Sequence, residues 1–308
     1  MEGERQMELR LLHYFLAIAD ERNITKAARK LHVTQPTLSK QLSQLEDELE
    51  VTLFERRNRQ MILTDAGVSL RERAAQIIEL TNKTISEIKQ TNEDIHGEIV
   101  IGSGETKGFS IIVDTLQLIQ KEFPNITFNI FSGNGDDIMN RLDNGLVDFG
   151  LIIGNRNIDK YNSILLPYQD TWGVLMNKDD VLADEESITP QLLVDLPLII
   201  SRNPILRNEL ADWLGTSIHE KNVVASYNLI KNASMMAEKN LGYVLSLDGL
   251  VDTTGISDLC FKPLSPAVNA NLYLIWRKNT FLVPAAKVFL EKMSLLIDPS
   301  QTVMDLNS

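Results

Sequence analysis

The chain has 308 residues, of which 44% are hydrophobic and 23% charged, and a formal net charge of −12. That length and balance suit two or three ordinary globular domains and exclude a low-complexity or disordered chain. Cys260 stands alone, no apolar run approaches the roughly 18 to 20 residues of a membrane span, and the N-terminal MEGERQMELRLLHYF lacks the basic and apolar regions of a secretory signal, so a cytoplasmic protein without a membrane role is expected.

Leu9, Leu12, Phe15, Leu16 and Ala19 recur at helical spacing and predict a first helix from about Glu8 to Asp20. Asn23 is a candidate N-cap for a second helix with Ala27, Ala28 and Leu31 facing inward. HVT at 32–34 then forms a tight turn. Thr34 caps a third helix that tolerates Pro36 in its first turn and carries the apolar stripe Leu38, Leu42, Leu45 and Leu49. Helix, helix, turn, helix within about 40 residues is the layout of a helix-turn-helix. LFERRNRQMILT at 53–64 reads as two short strands around a charged tip, a β-hairpin wing. Asp65 to about Asp94 contains no proline, and Leu70, Ala74, Ile77, Thr81, Ile85 and Ile88 recur every three or four residues. One helix of about 40 Å follows, too long to pack within a small domain and suited to pairing with a second copy.

The acid is unevenly spread. Residues 1–65 have a net charge of −1 and residues 66–308 a net charge of −11. Arg22 to Leu45 holds Arg22, Lys26, Arg29, Lys30 and Lys40 with no carboxylate, whereas EDELE follows at 46–50. A surface that faces phosphate requires such a gap. Gln35 can bond adenine in bidentate fashion, Thr37 and Ser39 can bond base edges or phosphate, Pro36 offers an apolar face to a thymine methyl, and Lys40 suits phosphate or guanine. Arg56, Arg57 and Arg59 at the wing tip can reach phosphate or a narrow minor groove. Lys26, Arg29 and Lys30 read as backbone-positioning groups or as solvated surface. Thr34 serves as a cap or as a further contact.

From GEIVIGSGET at 97–106 onward, short apolar runs alternate with helical ones, which predicts an α/β architecture with largely parallel sheets. Strands are expected at Glu98–Gly102, Ile126–Phe131, Asp148–Ile153, Trp172–Met176, Leu198–Ser201, Val223–Ser226, Tyr243–Leu247 and Leu272–Trp276. Helices are expected at Phe109–Phe123, Asp136–Asn144, Leu206–Leu214, Leu229–Lys239 and Pro284–Ile297. Clefts in open α/β sheets lie at the carboxyl ends of strands, where helix N-termini favour anions. Ser103, Glu105 and Thr106 follow the first strand, and Ser132, Gly133 and Asn134 the second. Ser201, Arg202, Tyr227, Asn228 and Ser246 hold analogous places further on. Each hydroxyl serves equally as a helix cap. Together they suit a small polar or carboxylated ligand, with Glu105 placed to repel an anion or to recognise an amine.

In its N-terminal region, with Ala27-Ala28, Gln35-Pro36-x-Leu38-Ser39, Gln44-Leu45-Glu46, Leu53-Phe54-x-Arg56 and Leu63-Thr64-x-Ala66-Gly67, the chain resembles the LysR-type transcriptional regulators. IGSGET, FPNITFNIFSGN and VDFGLI extend the likeness over essentially the whole length. The resemblance implies a winged helix-turn-helix at 1–65, a linker and dimerisation helix at 66–94, and an effector domain at 95–308. That last domain would resemble periplasmic binding proteins, with subdomain I at about 95–165 and 268–308 and subdomain II at about 166–267. It also implies a DNA-binding set of Asn23, Thr25, Lys26, Thr34, Gln35, Pro36, Thr37, Ser39, Lys40, Arg56, Arg57, Arg59 and Thr64. The implied partners are double-stranded promoter DNA, a small-molecule effector held between the subdomains, and further copies of the chain in a homodimer or, commonly, a homotetramer; RNA polymerase is a further expected partner.

No catalytic constellation emerges. His13, His32, His96 and His219 are scattered without a metal-ligand spacing, and GSGETKG fits neither a dinucleotide fingerprint nor a P-loop. No enzyme, metal or resident cofactor is therefore expected, and Cys260 reads as a small buried hydrophobe. The alternative, a solute-binding or carrier protein with a vestigial DNA-binding domain, leaves residues 23–64 unexplained.

Overall fold

The computed structural model describes residues 8–57, 60–88, 95–154, 156–202, 210–215, 222–280 and 282–297, the side chains of 86–88 excepted. The chain divides into two compact units, Met1–Lys89 and Gln90–Ser308.

In the first unit, α1 (Leu9–Glu21) ends where Arg22 enters the left-handed region at φ 49° and returns its N–H to Ile18. Asn23 then opens α2 (Ile24–Lys30) by accepting from the N–H groups of Thr25 and Lys26, each at 3.0 Å. Thr34 opens α3 (Gln35–Leu49) by accepting from Thr37 N–H at 3.3 Å. The wing is β1 (Phe54–Arg57) paired antiparallel with β2 (Gln60–Leu63). Leu11, Leu12, Phe15 and Ile18 meet Ala27, Ala28, Leu38, Leu42 and Leu45 in one core, and Phe54 of the wing closes it with ring centroids 5.3 Å from Phe15. Truncating a buried leucine such as Leu38 to alanine would cost about 2–5 kcal/mol. α4 (Asp65–Ile88) starts against the same core, and a Cβ on Gly67 would stand 2.2 Å from the Leu53 carbonyl oxygen, so only glycine lets helix and wing meet there.

The long helix needs one correction. Ala74 is fully buried and Leu70 half-buried against this core, so Ala74 has no surface to give a second copy. Among the described side chains, the large apolar ones that α4 leaves exposed are Val68, Ile77, Leu80 and Ile85. The three-to-four-residue stripe thus begins as domain core and becomes free surface further along. Residues 89–94 and the Ile88 side chain lie outside the described residues.

The second unit begins with β3 (Gly97–Ser103), α5 (Ser110–Glu122), β4 (Ile126–Ser132), α6 (Gly135–Asp143) and β5 (Phe149–Ile153). β6 (Tyr161–Asn177), β7 (Leu198–Ser201), β8 (Val223–Tyr227), α7 (Ile230–Glu238), β9 (Tyr243–Leu247), β10 (Leu259–Pro263), β11 (Asn269–Arg277) and α8 (Pro284–Ile297) complete it. Residues 210–214 are helical; residues 206–209 of that expected helix lie outside the described residues. The strand order is β4-β3-β5-β11-β6-β9-β7-β8, with β10 added on β6.

The sheet is mixed rather than largely parallel. β3 runs parallel to β4 and β5, and β7 to β8 and β9, but every pairing of β6, β10 and β11 is antiparallel. β6 explains why. Residues 161–171 pair with β11, while 172–177 pair with β9 and β10, so one strand passes from a first lobe to a second. Its first half escaped the strand prediction because Pro167 interrupts it; the ladder shifts register between the Leu165 and Gln169 pairs, where a missing N–H costs nothing. Ile99, Ile101, Phe149, Leu274 and Phe289 centre the first lobe's core, and Trp172, Val174, Leu198, Ile200 and Leu245 the second's.

Candidate nucleic-acid interface and ligand cleft

With Leu38, Leu42 and Leu45 turned into the core, the start of α3 presents Thr34, Pro36, Thr37 and Lys40 to solvent, with Gln35 and Ser39 half-exposed. Thr34 Oγ1 lies 2.8 Å from Thr37 Oγ1, so these two hydroxyls are tied to each other and to the helix start. On α2, Thr25 and Lys26 are exposed, while Asn23 spends its side-chain oxygen on the cap. Thr64 is likewise committed: it donates to the Thr52 carbonyl at 2.7 Å and accepts from Gly67 N–H at 3.1 Å. These two bonds give Thr64 a part in holding the start of α4 to the wing, while its side chain stays half-exposed.

Lys26, Arg29, Lys40 and Arg56 have no ion-pair partner among the described residues, whereas Lys30 pairs with Glu21 at 3.2 Å and Arg57 with Glu55 at 2.6 Å. Both pairs are exposed, so either cation exchanges a carboxylate for a phosphate at little cost. Arg59 lies outside the described residues. Glu46, first of the acidic run, is turned away to accept from Leu53 N–H at 2.7 Å and Phe54 N–H at 3.3 Å.

Between the two lobes of the second unit lies a cavity of about 200 Å³. Glu105, Ser132, Gly133 and Asn134 line it from the first lobe, and Ser201, Arg202, Tyr227 and Asn228 from the second. Asn134 also caps α6, accepting from Asp136 and Asp137 N–H at 2.9 and 3.0 Å. The Tyr227 hydroxyl donates to the Leu245 carbonyl at 2.8 Å, and burial holds its proton well above the ordinary phenol range.

Three expected residues are elsewhere. Ser103 is buried and donates to the Gly104 carbonyl at 2.7 Å. Thr106 is buried and caps a short 3-10 turn through Gly108 N–H at 2.9 Å. Ser246 is buried, donates to the Leu247 carbonyl at 3.2 Å, and lies by a separate pocket with Phe261 and Val251. A strand-end position alone does not give the direction of its side chain.

Arg156 and Trp172 are among the cavity residues that went unrecognised. Arg156 pairs with Asp136, its side chain is only 2% exposed, and its guanidinium lies so close over Gly135 that a Cβ there would meet Nε at 2.5 Å. It follows the end of β5, a strand end that the sequence reading did not weigh. Trp172 lines the cavity where β6 changes lobes, and its buried indole N–H has no partner among the described residues.

Beside the crossover, Asp170 is completely buried with neither carboxylate oxygen in a hydrogen bond. Burial pushes its carboxyl above the ordinary range, and the Asp248 carboxylate adds to this. The Thr106 hydroxyl opposes the shift without reaching hydrogen-bond geometry, and the Lys107 ammonium opposes it more weakly. Cys260 is half-buried, and burial raises its thiol as well. Among the described residues no group of three or more His, Cys, Asp or Glu is placed to hold a metal, and no helix is long and apolar enough to cross a membrane.

A winged helix-turn-helix followed by a two-lobed α/β domain with a polar cleft is the architecture of a ligand-sensing transcription regulator. Residues 9–68 match the model of the bacterial regulatory helix-turn-helix proteins of the lysR family, and residues 92–294 match the LysR substrate binding domain. The chain belongs to the LysR family of transcriptional regulators. It is 30% identical to the HTH-type transcriptional regulator YwbI of Bacillus subtilis over 96% of this chain and 99% of that protein. It is 36% identical to BsdA of the same organism over 46% of this chain, a match that spans about half of that relative, 49%. The crystal structure of the LysR family regulator CbnR shares the fold, with a TM-score of 0.74 at 21% identity over 95% of this chain and 100% of that one. Full-length CbnR in complex with target DNA gives 0.70 at 19% identity, covering 93% and 99%.

Proposed function

We propose that the protein binds promoter DNA as a homo-oligomer and changes its hold on that DNA when a small effector enters the inter-lobe cavity. In this reading α3 lies in the major groove, with Gln35, Pro36, Thr37 and Ser39 at base edges or phosphate and Lys40 on phosphate or guanine. Asn23, Thr25, Lys26 and Thr34 position the domain on the backbone, and Arg56, Arg57 and Arg59 carry the wing to phosphate or minor groove. The observation that carries the reading is the exposed start of α3, free of carboxylates and backed by a fully apolar core face.

Glu105, Ser132, Gly133, Asn134, Ser201, Arg202 and Tyr227 are assigned to a polar or carboxylated effector, bound without turnover. We divide the chain into a DNA-binding domain at 1–65, a linker and dimerisation helix at 66–94 and an effector domain at 95–308. The stretch of the linker helix with exposed Ile77 and Ile85 and half-buried Thr81 pairs two copies, dimers associate further into a tetramer, and RNA polymerase is the partner at the promoter.

Genome-wide footprinting of the purified protein tests this reading. Protection of near-palindromic sites spanning several helical turns is expected, and absence of protection at any promoter would refute it. A metabolite thermal-shift screen then identifies the effector from the pathways the bound promoters control.

A further inference from the structure

The loop between β3 and α5 makes two polar contacts from the first lobe to the second. Glu105 Oε2 accepts from the backbone N–H of Ile230, the first residue of α7, at 2.9 Å. That helix has Leu229 at its N-cap position and no side-chain acceptor of its own, so its leading N–H is served across the cleft. Two residues on, the Lys107 ammonium pairs with Asp248 Oδ2, just past the end of β9. Asp248 is itself held in place, because its other oxygen accepts from Thr171 N–H at 2.8 Å on the crossover strand. Between them, Thr106 turns the loop through Gly108 N–H, and a Cβ on Gly108 would stand 2.1 Å from a Leu272 methyl, so the loop is seated tightly on the first lobe. Glu105 and Lys107 therefore extend to the second lobe from a braced support.

We propose that this loop is a two-point latch that holds the lobes of the effector domain together, with Glu105 capping α7 in trans and Lys107 pairing with Asp248. The two contacts differ in kind. The first is a carboxylate at a helix N-terminus, favoured by the oriented peptide dipoles, and the second is a partly exposed ion pair that salt weakens. Glu105 also lines the cavity, so a molecule entering it shares space with the latch, and occupancy and lobe separation become coupled. The latch goes beyond the effector reading and does not depend on knowing the effector.

The test is the lobe separation of the full-length protein without ligand. Spin labels at Gln120→Cys on α5 and Met235→Cys on α7, both exposed, in a Cys260→Ser background and diluted with unlabelled protein, report it by pulsed electron spin resonance. Glu105→Ala with Lys107→Met is expected to move the mean distance beyond the width of the parental distribution. Glu105→Gln, which keeps an acceptor for Ile230 N–H, is expected to stay near the parent. An unchanged distribution in a folded double variant overturns the proposal, as does an equal shift from Glu105→Gln. Should the double variant fail to fold, Glu105→Ala alone carries the test, since that side chain is exposed. Effector titration by thermal shift is a separate measurement, so a failed latch leaves the effector reading intact and a failed effector screen leaves the latch intact.

Discussion

Glu46 accepts from the backbone N–H of Leu53 at 2.7 Å, and through it α3 is tied to the first residues of the wing. Leu53 is buried, so removing the acceptor leaves an unsatisfied donor that costs about 1–3 kcal/mol. Glu46→Ala should lower the unfolding midpoint of the DNA-binding unit and weaken operator binding, with Glu46→Gln closer to the parent. Differential scanning calorimetry checks it, and an unmoved midpoint for the alanine variant would contradict the tie.

Gln35 and Lys40 should separate in what they contribute to DNA binding. Gln35→Ala is expected to cost about 1–3 kcal/mol of discrimination between the operator and a site changed at one base pair. Lys40→Ala should weaken binding to both sites alike and reduce the slope of log affinity against log salt by about 1. Fluorescence anisotropy at several salt concentrations reads both. Equal weakening of all sites by Gln35→Ala would remove it from base recognition.

Asp170 sets a pH dependence. Its carboxyl titrates above the ordinary range when folded, so between the unfolded and folded values the native protein binds more protons than the unfolded chain. The group favours folding below its unfolded pKa and withdraws that support as pH rises through the folded one. Asp170→Asn, neutral at every pH, should stabilise the effector domain at neutral pH, because the amide brings no charge into the buried site. The gain should vanish at acid pH. Urea unfolding across pH settles the sign: a variant less stable than the parent at neutral pH would show that the carboxylate has a partner.

Along α4, the switch from core to surface makes two classes of substitution. Ile85→Glu, at an exposed apolar position, should raise the dimer dissociation constant while leaving monomer stability nearly unchanged, as analytical ultracentrifugation would show. Ala74→Leu, at a fully buried one, should destabilise the DNA-binding unit by about 1–3 kcal/mol through overpacking. If Ala74→Leu instead left stability intact and altered only the dimer, the burial assigned to it would be wrong.

The sequence by itself determined the DNA-binding unit. Its signals are local: Asn23 and Thr34 cap helices within three residues of themselves, Leu38, Leu42 and Leu45 share a face by helical period alone, and the gap in carboxylates lies along one short stretch. The alternation of strands and helices and the serines at strand ends were legible for the same reason.

Only the tertiary structure decided what depends on residues far apart in the chain. Ala74 became core because α1 lies against the start of α4, and Ser103, Thr106 and Ser246 turned inward while Arg156 and Trp172 reached the cavity. β6 had to be seen paired to show that it serves two lobes. Glu105 lies 125 residues from Ile230, and no period or spacing reports an acceptor that meets its donor only when two lobes fold against each other.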